Sequence, residues 1–218
     1  KMVLSGEGAD ELFGGYLYFH MAPNTQEFHE ETVRKVRALN KYDCSRANKS
    51  MMAWGIETRV PFLHKPFVNY AMNLDPAVKM GGKGKIEKHI IRESFEGLIP
   101  DEVLWRQKEQ FSDGVGYGWI DGLKDHAERH VSDDELERAS VRFPINPPVT
   151  KEGYYYRTIF EQHYPTAAAA NSVPGGKSVA CSTEKALEWN ESLKNVVDPS
   201  GRAVTNVHNS GYSSKDKS

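Results

Sequence analysis

The sequence predicts an α/β chain that is mostly helical, with a single strand at its start. Two observations carry this. Val3 and Leu4 are a strand-favouring apolar pair that runs straight into the turn Ser5-Gly6-Glu7-Gly8 and then into a helix-like run. Beyond it, apolar residues recur at helical spacing behind capping residues along most of the chain.

The elements follow in order. Asn24 and Glu27 stand at capping-box spacing, and Phe28, Val33, Val36 and Leu39 fall roughly on one helical face. A second helix is predicted over residues 43–54, stopped by Gly55. "TRVPFL" reads as extended chain before a short helix over residues 66–74. "GKIEKHIIRESFEG" is predicted as a helix ending at Gly97, and "PDEVLWR" as another with Pro100 at or near its first turn. "GYGWIDGLKDHAERHV" comes next; Ser132 with Glu135 is a further capping box, and Thr150 caps "KEGYYYRTIFEQHY". From Pro165 the composition turns small, polar and rich in Gly and Pro. The expected organisation is therefore a domain over residues 1–164 and a loosely packed or partly disordered tail over 165–218, with "STEKALEW" as its one short helix.

The bulk properties exclude several classes. A formal net charge of -2 on 218 residues creates no field that would draw the chain to nucleic acid or to an acidic membrane. No run approaches a membrane span. Cys44 and Cys181 are far apart and form no disulfide framework, so a reducing, cytoplasmic compartment is expected. The eight histidines form no HxxxH or HExxH pattern. "PGGKS" lacks the first glycine of a phosphate loop, because Asn171 stands there, and "GGKGK" reads as a mobile surface turn. Lys1 stands almost inside the first strand, and one apolar strand cannot bury itself. The chain is therefore expected to be the C-terminal piece of something larger; the alternative is an isolated edge strand packed on helices.

The chemistry concentrates in three stretches. In "VLSGEGADELFGGY" Gly6 and Gly8 let a ligand approach the main chain closely. Glu7, Asp10 and Glu11 beside them suit holding a divalent metal, taking a proton or steadying a cationic amine, or else an ordinary strand-to-helix turn with Asp10 near an N-cap. "WRQKEQFSDGVGYGW" sets Arg106, Lys108 and Glu109 before three closely spaced glycines, as in a functional loop or in a plain helix connection. "YDCSRANKSMMAWGIETRVPFL" places Arg46, Lys49, Glu57 and Arg59 among apolar residues, and charges in such company are usually paired. A structural ion pair, Glu57 with Arg59 or with Arg46, is the expectation for Glu57 and Arg59.

Together with "TKEGYYYRTIFE" and "VPGGKSVACSTEKALEW", these stretches resemble, in the same order and over residues 1 to about 205, the synthetase domain of glutamine-dependent asparagine synthetases. The resemblance implies the mostly helical C-terminal part of an ATP-pyrophosphatase (adenine nucleotide alpha hydrolase-like) domain, with one parallel strand at its start. It implies a ligase that converts aspartate and MgATP to β-aspartyl-AMP and then, with ammonia from glutamine, to asparagine. On the matching positions, Glu7, Lys108 and Arg46 are implied as catalytic, Ser5 and Gly6 as nucleotide contacts, and Asp10 as the magnesium (Mg2+) carboxylate.

Three departures bear on this. The family's Ser-Gly-Gly-x-Asp-Ser pyrophosphate loop and its glutaminase domain are not in these residues and are expected upstream, so the isolated chain is expected to be inactive. His64 stands where the family usually has Asp after "VPFL", which puts a helix cap in question. A β-lactam-forming relative is an alternative with the same carboxylate-activating chemistry, but it has tyrosine where Glu7 stands. A non-catalytic binding or oligomerisation fragment is the alternative of another class. A homodimer is expected of the full-length protein.

Overall fold

The structure, a computed structural model, describes residues 1–82, 84–196, 200–204 and 206. The chain forms two compact units: Lys1–Gln110 with the described residues from Ser178 onward, and Phe111–Lys177.

The first unit runs β1 (Met2–Leu4), α1 (Ala9–Phe13), α2 (Thr25–Ala38), α3 (Asp43–Met52), β2 (Glu57–Arg59), α4 (Lys65–Asn73), α5 (Pro76–Lys79), α6 (His89–Ser94) and α7 (Asp101–Leu104). The strand expectation needs a correction, because β1 has a parallel partner. Met2 lies opposite Glu57, Val3 opposite Thr58 and Leu4 opposite Arg59. The Ser5 amide extends the ladder to the Arg59 carbonyl at 2.9 Å. β2 escapes sequence reading because it is only three residues long and bears a charge at each end. Those two side chains share one face of the strand, where Arg59 Nε meets Glu57 Oε1 at 2.6 Å, one of the two pairings the sequence left open for Glu57.

Two left-handed glycines bracket α1. Gly8 (φ 94°) opens it, and a Cβ there would fall 2.3 Å from Leu63 Cδ2. Gly14 (φ 59°) closes it, and a Cβ there would fall 2.5 Å from the Phe28 ring. Asp10 and Glu11 occupy the first turn, where the helix dipole favours negative charge. α2 begins as predicted, with Asn24 Oδ1 accepting from the Glu27 amide. The helix predicted from Gly84 starts only at His89. Gly82 and Lys85 pair as an antiparallel bridge, Lys88 adopts a left-handed backbone (φ 55°), and Glu87 turns inward against His20 and Arg92. Lys83, in the middle of "GGKGK", lies outside the described residues.

The second unit is helical: α8 (Phe111–Val115), α9 (Tyr117–His130), α10 (Asp133–Glu137), α11 (Ala139–Arg142), α12 (Lys151–His163) and α13 (Ala167–Asn171). Its core gathers Val131, Ala139, Phe143 and Tyr154. The Ser132–Glu135 capping box forms in full, and Thr150 caps α12 through the Gly153 amide. Of the three glycines in "GVGYG", only Gly116 needs its special backbone (φ 108°); Gly114 and Gly118 lie within helices.

The predicted tail is corrected where it is described. Val179, Ala180, Ala186, Leu187, Leu193 in α14 (Glu191–Lys194) and Val204 pack with Tyr16, Leu17, Tyr18, Phe19 and Phe28 in the main core of the first unit. Polar contacts pin the same segment. Thr183 donates to Glu31 at 2.8 Å, Trp189 Nε1 donates to Glu27 at 3.3 Å, and Lys35 Nζ donates to the Cys181 carbonyl at 2.9 Å. The apolar residues that do this are spread singly among Ser, Gly and Lys, so composition hides them. The predicted tail from residue 207 onward lies outside the described residues.

Two tests follow from local physics. His64 is the N-cap of α4 but its side chain makes no capping hydrogen bond, and Pro66 in the first turn has no N–H to offer. His64→Asp should let a carboxylate accept from the Phe67 amide and raise stability by about 1 kcal/mol, read as a higher urea midpoint. An unchanged midpoint would show that the cap position is already satisfied.

Lys79 is buried, and its ammonium donates to the carbonyls of Leu12 (3.3 Å) and Ala71 (3.0 Å) near the ends of α1 and α4. Burial lowers its pKa to about 8 from 10.5. Between those values the unfolded chain binds the proton that the folded chain has lost, so this group adds stability as pH rises from about 8 to 10.5. Lys79→Met should remove that increment, so its stability relative to wild type should be more favourable at pH 7 than at pH 10. A difference independent of pH would exclude a buried, depressed lysine.

Candidate active site

The turn between β1 and α1 carries Ser5, Gly6 and Glu7, and the first turn of α1 carries Asp10 and Glu11. Nothing lies within 4 Å of a Cβ built on Gly6, so the surrounding packing does not demand glycine there. Gly6 instead lines a cavity of about 420 Å³ together with Ala9, Lys88, Arg92, Arg106 and Lys108. Ser5 is engaged through its backbone, in the strand ladder.

Two of the expected site residues meet directly. Arg46 Nη2 on α3 donates to Glu7 Oε1 at 3.0 Å and to Asp43 Oδ1 at 3.2 Å. Asp43 Oδ2 accepts from the Tyr16 hydroxyl at 3.0 Å, and the same hydroxyl donates in a short bond to the buried Glu11. The Tyr16 ring in turn faces two ammonium groups, Lys35 Nζ at 4.9 Å and Lys108 Nζ at 5.6 Å from its centroid. Lys108 reaches Asp10 Oδ2 at 3.3 Å, and Lys88 reaches Asp10 Oδ1 at 2.6 Å. Glu7, Arg46, Asp10 and Lys108 thus belong to one connected polar network.

The electrostatics separate the carboxylates. Burial raises the Glu7 carboxyl, Arg46 opposes it, and Asp43, Glu11 and Asp10 push it further up. Glu11 is likewise raised by burial. Burial would raise Asp10 too, but Lys88 and Lys108 outweigh it and hold Asp10 below the ordinary carboxylate value. The loop therefore presents one carboxylate poised towards accepting a proton beside one held firmly ionised, an arrangement common where environments divide acid–base roles. Burial also pushes the Cys181 thiol up to about 11.

The residues described here do not make a magnesium site by themselves. Each Asp10 oxygen faces a lysine ammonium, and among the described residues no three His, Cys, Asp or Glu side chains gather around a common point. A hard cation takes six or more oxygens, so a single carboxylate does not make a site for it.

The asparagine synthase family profile matches residues 1–27 and 20–191. The chain belongs to the asparagine synthase family. It is 64% identical over 212 residues to "Asparagine synthetase B [glutamine-hydrolyzing]" of Escherichia coli (strain K12), a match covering 97% of this chain and 38% of that protein. It is 62% identical over 218 residues to "Asparagine synthetase [glutamine-hydrolyzing] 3" of Arabidopsis thaliana, again 97% and 38%. The rice relative, "Asparagine synthetase [glutamine-hydrolyzing] 2" of Oryza sativa subsp. japonica, is 61% identical over 218 residues, covering 97% and 37%. The chain thus spans under two-fifths of the length of these members of the family.

Several residues of the network are not among those expected from the sequence. Asp43 stands at helical i, i+3 spacing from the expected Arg46, a signal available in "YDCSR". Tyr16 carries no signal beyond that of an aromatic after the glycines, and Lys88 falls inside a helix that starts later than predicted. Lys35, 146 residues from its carbonyl partner Cys181, left no local signal.

Arg46 is the charge that opposes burial at Glu7, so Arg46→Gln should move the Glu7 carboxyl further up. A raised carboxyl costs stability as pH rises from its unfolded value of 4.5 through its folded value. The variant should lose more stability over that window, and carboxyl-carbon NMR titration should show a later Glu7 midpoint. An unmoved midpoint would show that Arg46 is not its counter-ion.

Proposed function

We propose that this chain supplies the aspartate-activating half of a glutamine-dependent asparagine synthetase in an ATP-pyrophosphatase-type domain. A β-carboxylate oxygen of aspartate attacks the α-phosphorus of ATP, and the bond to pyrophosphate breaks, giving β-aspartyl-AMP. Ammonia, derived from glutamine in a part of the protein outside this chain, then attacks the β-carbonyl carbon. AMP leaves and a proton is released. The observation that supports this best is Glu7, held by Arg46 and shifted towards proton uptake, on an open glycine turn beside a cavity lined by cationic side chains.

Each residue has a part. The Ser5-Gly6 turn lets the nucleotide approach the backbone closely. Glu7 takes a proton from the attacking ammonia and stabilises the positive charge that develops on it. Arg46 orients Glu7 and keeps it ionised. Lys108 neutralises charge on the phosphates and the leaving group as a compact ammonium. Magnesium bound with the nucleotide would draw charge from the phosphate oxygens. Asp10 would be its carboxylate in this chain, and the other ligands would come from phosphate, water and residues outside it.

The test needs a complete enzyme, so the corresponding segment of the Escherichia coli relative is replaced by this sequence. Glu7→Gln in that hybrid should lower asparagine formation by about two to four orders of magnitude. Glutamine hydrolysis should remain, because it belongs to another domain. Near-normal asparagine synthesis would reduce Glu7 to a turn residue.

A further inference from the structure

Resting on that reading, we infer that Arg92 is a positioning residue for the proposed reaction: held by Glu87, its guanidinium clamps the chain that carries Lys108 and so sets where that ammonium stands. The clamp starts at the left-handed turn (Lys88, φ 55°) just before α6. Arg92, on α6, folds back on the residue before that turn twice. Its Nε donates to the Glu87 carbonyl at 3.0 Å, and its Nη2 donates to Glu87 Oε1 at 2.9 Å. Glu87 is itself fixed. Its side chain is fully buried, and its other oxygen lies 3.3 Å from His20 Nε2. A Cβ on Gly81 would fall 2.5 Å from the His20 ring, so that glycine leaves room for the histidine.

The far corner of the guanidinium faces another part of the chain. Arg92 Nη1 donates to the Arg106 carbonyl at 3.1 Å and, in a short bond, to the Leu104 carbonyl. Leu104 ends α7, and the last carbonyls of a helix have no partner within it. Residues 105–110 then belong to neither helix nor strand, so no ladder fixes their path. Lys108 lies in this stretch, just beyond the clamped carbonyl of Arg106. Its Nζ donates to the Glu109 carbonyl in a short bond and stands 3.3 Å from Asp10 Oδ2. The Trp105 ring against the His89 ring of α6, 5.4 Å between centroids, is a second tie between the same segments.

The geometry explains why the clamp is an arginine. A planar guanidinium directs donors to several sides at once, and an ammonium, a compact point charge, does not reproduce that fork. Glu87 alone would accept either cation, whereas the two carbonyls require the fork. A buried ion pair is weak evidence of added stability. Here the pair with Glu87 holds the fork in one orientation. Arg92 lines the cavity beside Gly6, but its Nε, Nη1 and Nη2 are directed at Glu87, Leu104 and Arg106. Its action on the reaction therefore passes through Lys108 and not through a substrate contact of its own.

The test compares Arg92→Lys with the parent hybrid enzyme, because lysine keeps the charge opposite Glu87 and loses the fork. First, both proteins are treated with a lysine-acetylating reagent without ligand and followed by mass spectrometry. Acetylation of Lys108 should quicken by about fivefold, the worth of one ordinary hydrogen bond. Lys151, in the other compact unit, should be unchanged. An unmoved Lys108 rate overturns the inference and leaves the proposed function standing; a lower melting temperature alongside it would make Arg92 a structural partner of Glu87 alone. Second, kcat for aspartate-dependent pyrophosphate release should fall by about 10- to 100-fold, with the KM for aspartate within about twofold. The same substitution in a Lys108→Gln background should cost less than about threefold more, because its effect passes through Lys108. Effects that multiply in full would overturn the inference. If Lys108 acetylates faster and kcat does not move, the clamp stands and the role proposed for Lys108 fails. Should Arg92→Lys not fold, Glu87→Gln keeps an oxygen for the guanidinium and removes its counter-charge. It is expected to move both readouts in the same direction, and an unmoved Lys108 rate there overturns the inference as well.

Discussion

A carboxylate in the first turn of a five-residue helix decides where two distant parts of the first unit must go. α1 is too short to be stable alone, so its place depends on what packs against it. Asp10 sits in that turn at a partly buried position, and an ionised carboxylate there needs counter-charge. Lys88 and Lys108 supply it, and with them come the start of α6 and the stretch after α7. Gly8, Gly14 and Gly15 make the arrangement sterically possible, each for a different neighbour: Leu63, Phe28, and the Asp10–Lys88 pair. The same turn exposes Gly6 and sets Glu7 beside it. The geometry that neutralises one carboxylate therefore also presents another.

The second support is aromatic. Tyr16 closes the network from below, with its hydroxyl shared between Glu11 and Asp43 and its ring against Lys35 and Lys108. Tyr18 donates to Glu31, and Glu31 accepts from Thr183 of the C-terminal segment. Buried polar groups joined in this way rigidify a core when every member is paired. The described residues after Ser178 are thus bound to the site's scaffold by apolar packing and by hydrogen bonds alike. Its two adjacent left-handed residues, Ala180 (φ 51°) and Cys181 (φ 66°), turn the Cys181 carbonyl towards Lys35.

The division of charge has a chemical consequence. Asp10 is stabilised as an anion by two lysines, whereas Glu7 has one arginine against burial and three carboxylates. On the proposed reading, a base that accepts a proton from ammonia is better placed on the second footing than on the first. Reversing the two environments would leave a strongly ionised, weakly basic group at the turn. The spacing of Glu7 and Asp10, three residues apart across Gly8, lets a single short loop hold both.

The sequence by itself determined the local features: the strand before "SGEG", the glycine-framed α1, and the Asn24, Ser132 and Thr150 caps. These depend on neighbours within a few residues, where backbone freedom and side-chain reach settle the outcome. Five stretches in order were enough to recognise the family, because their residue types are specific even where their geometry is unknown. Tertiary structure alone decided the rest. β2 exists because β1 lies beside it; in isolation three residues ending in Glu and Arg carry no strand signal. α6 starts late because Glu87 is pulled inward and Lys88 towards Asp10, contacts that span 67 and 78 residues. The described residues from Ser178 onward join the core because their scattered Val, Ala and Leu side chains meet the aromatics around Tyr16. Such contacts are paid for by loop closure over long separations, and nothing in a local window of sequence records whether the partner will be there.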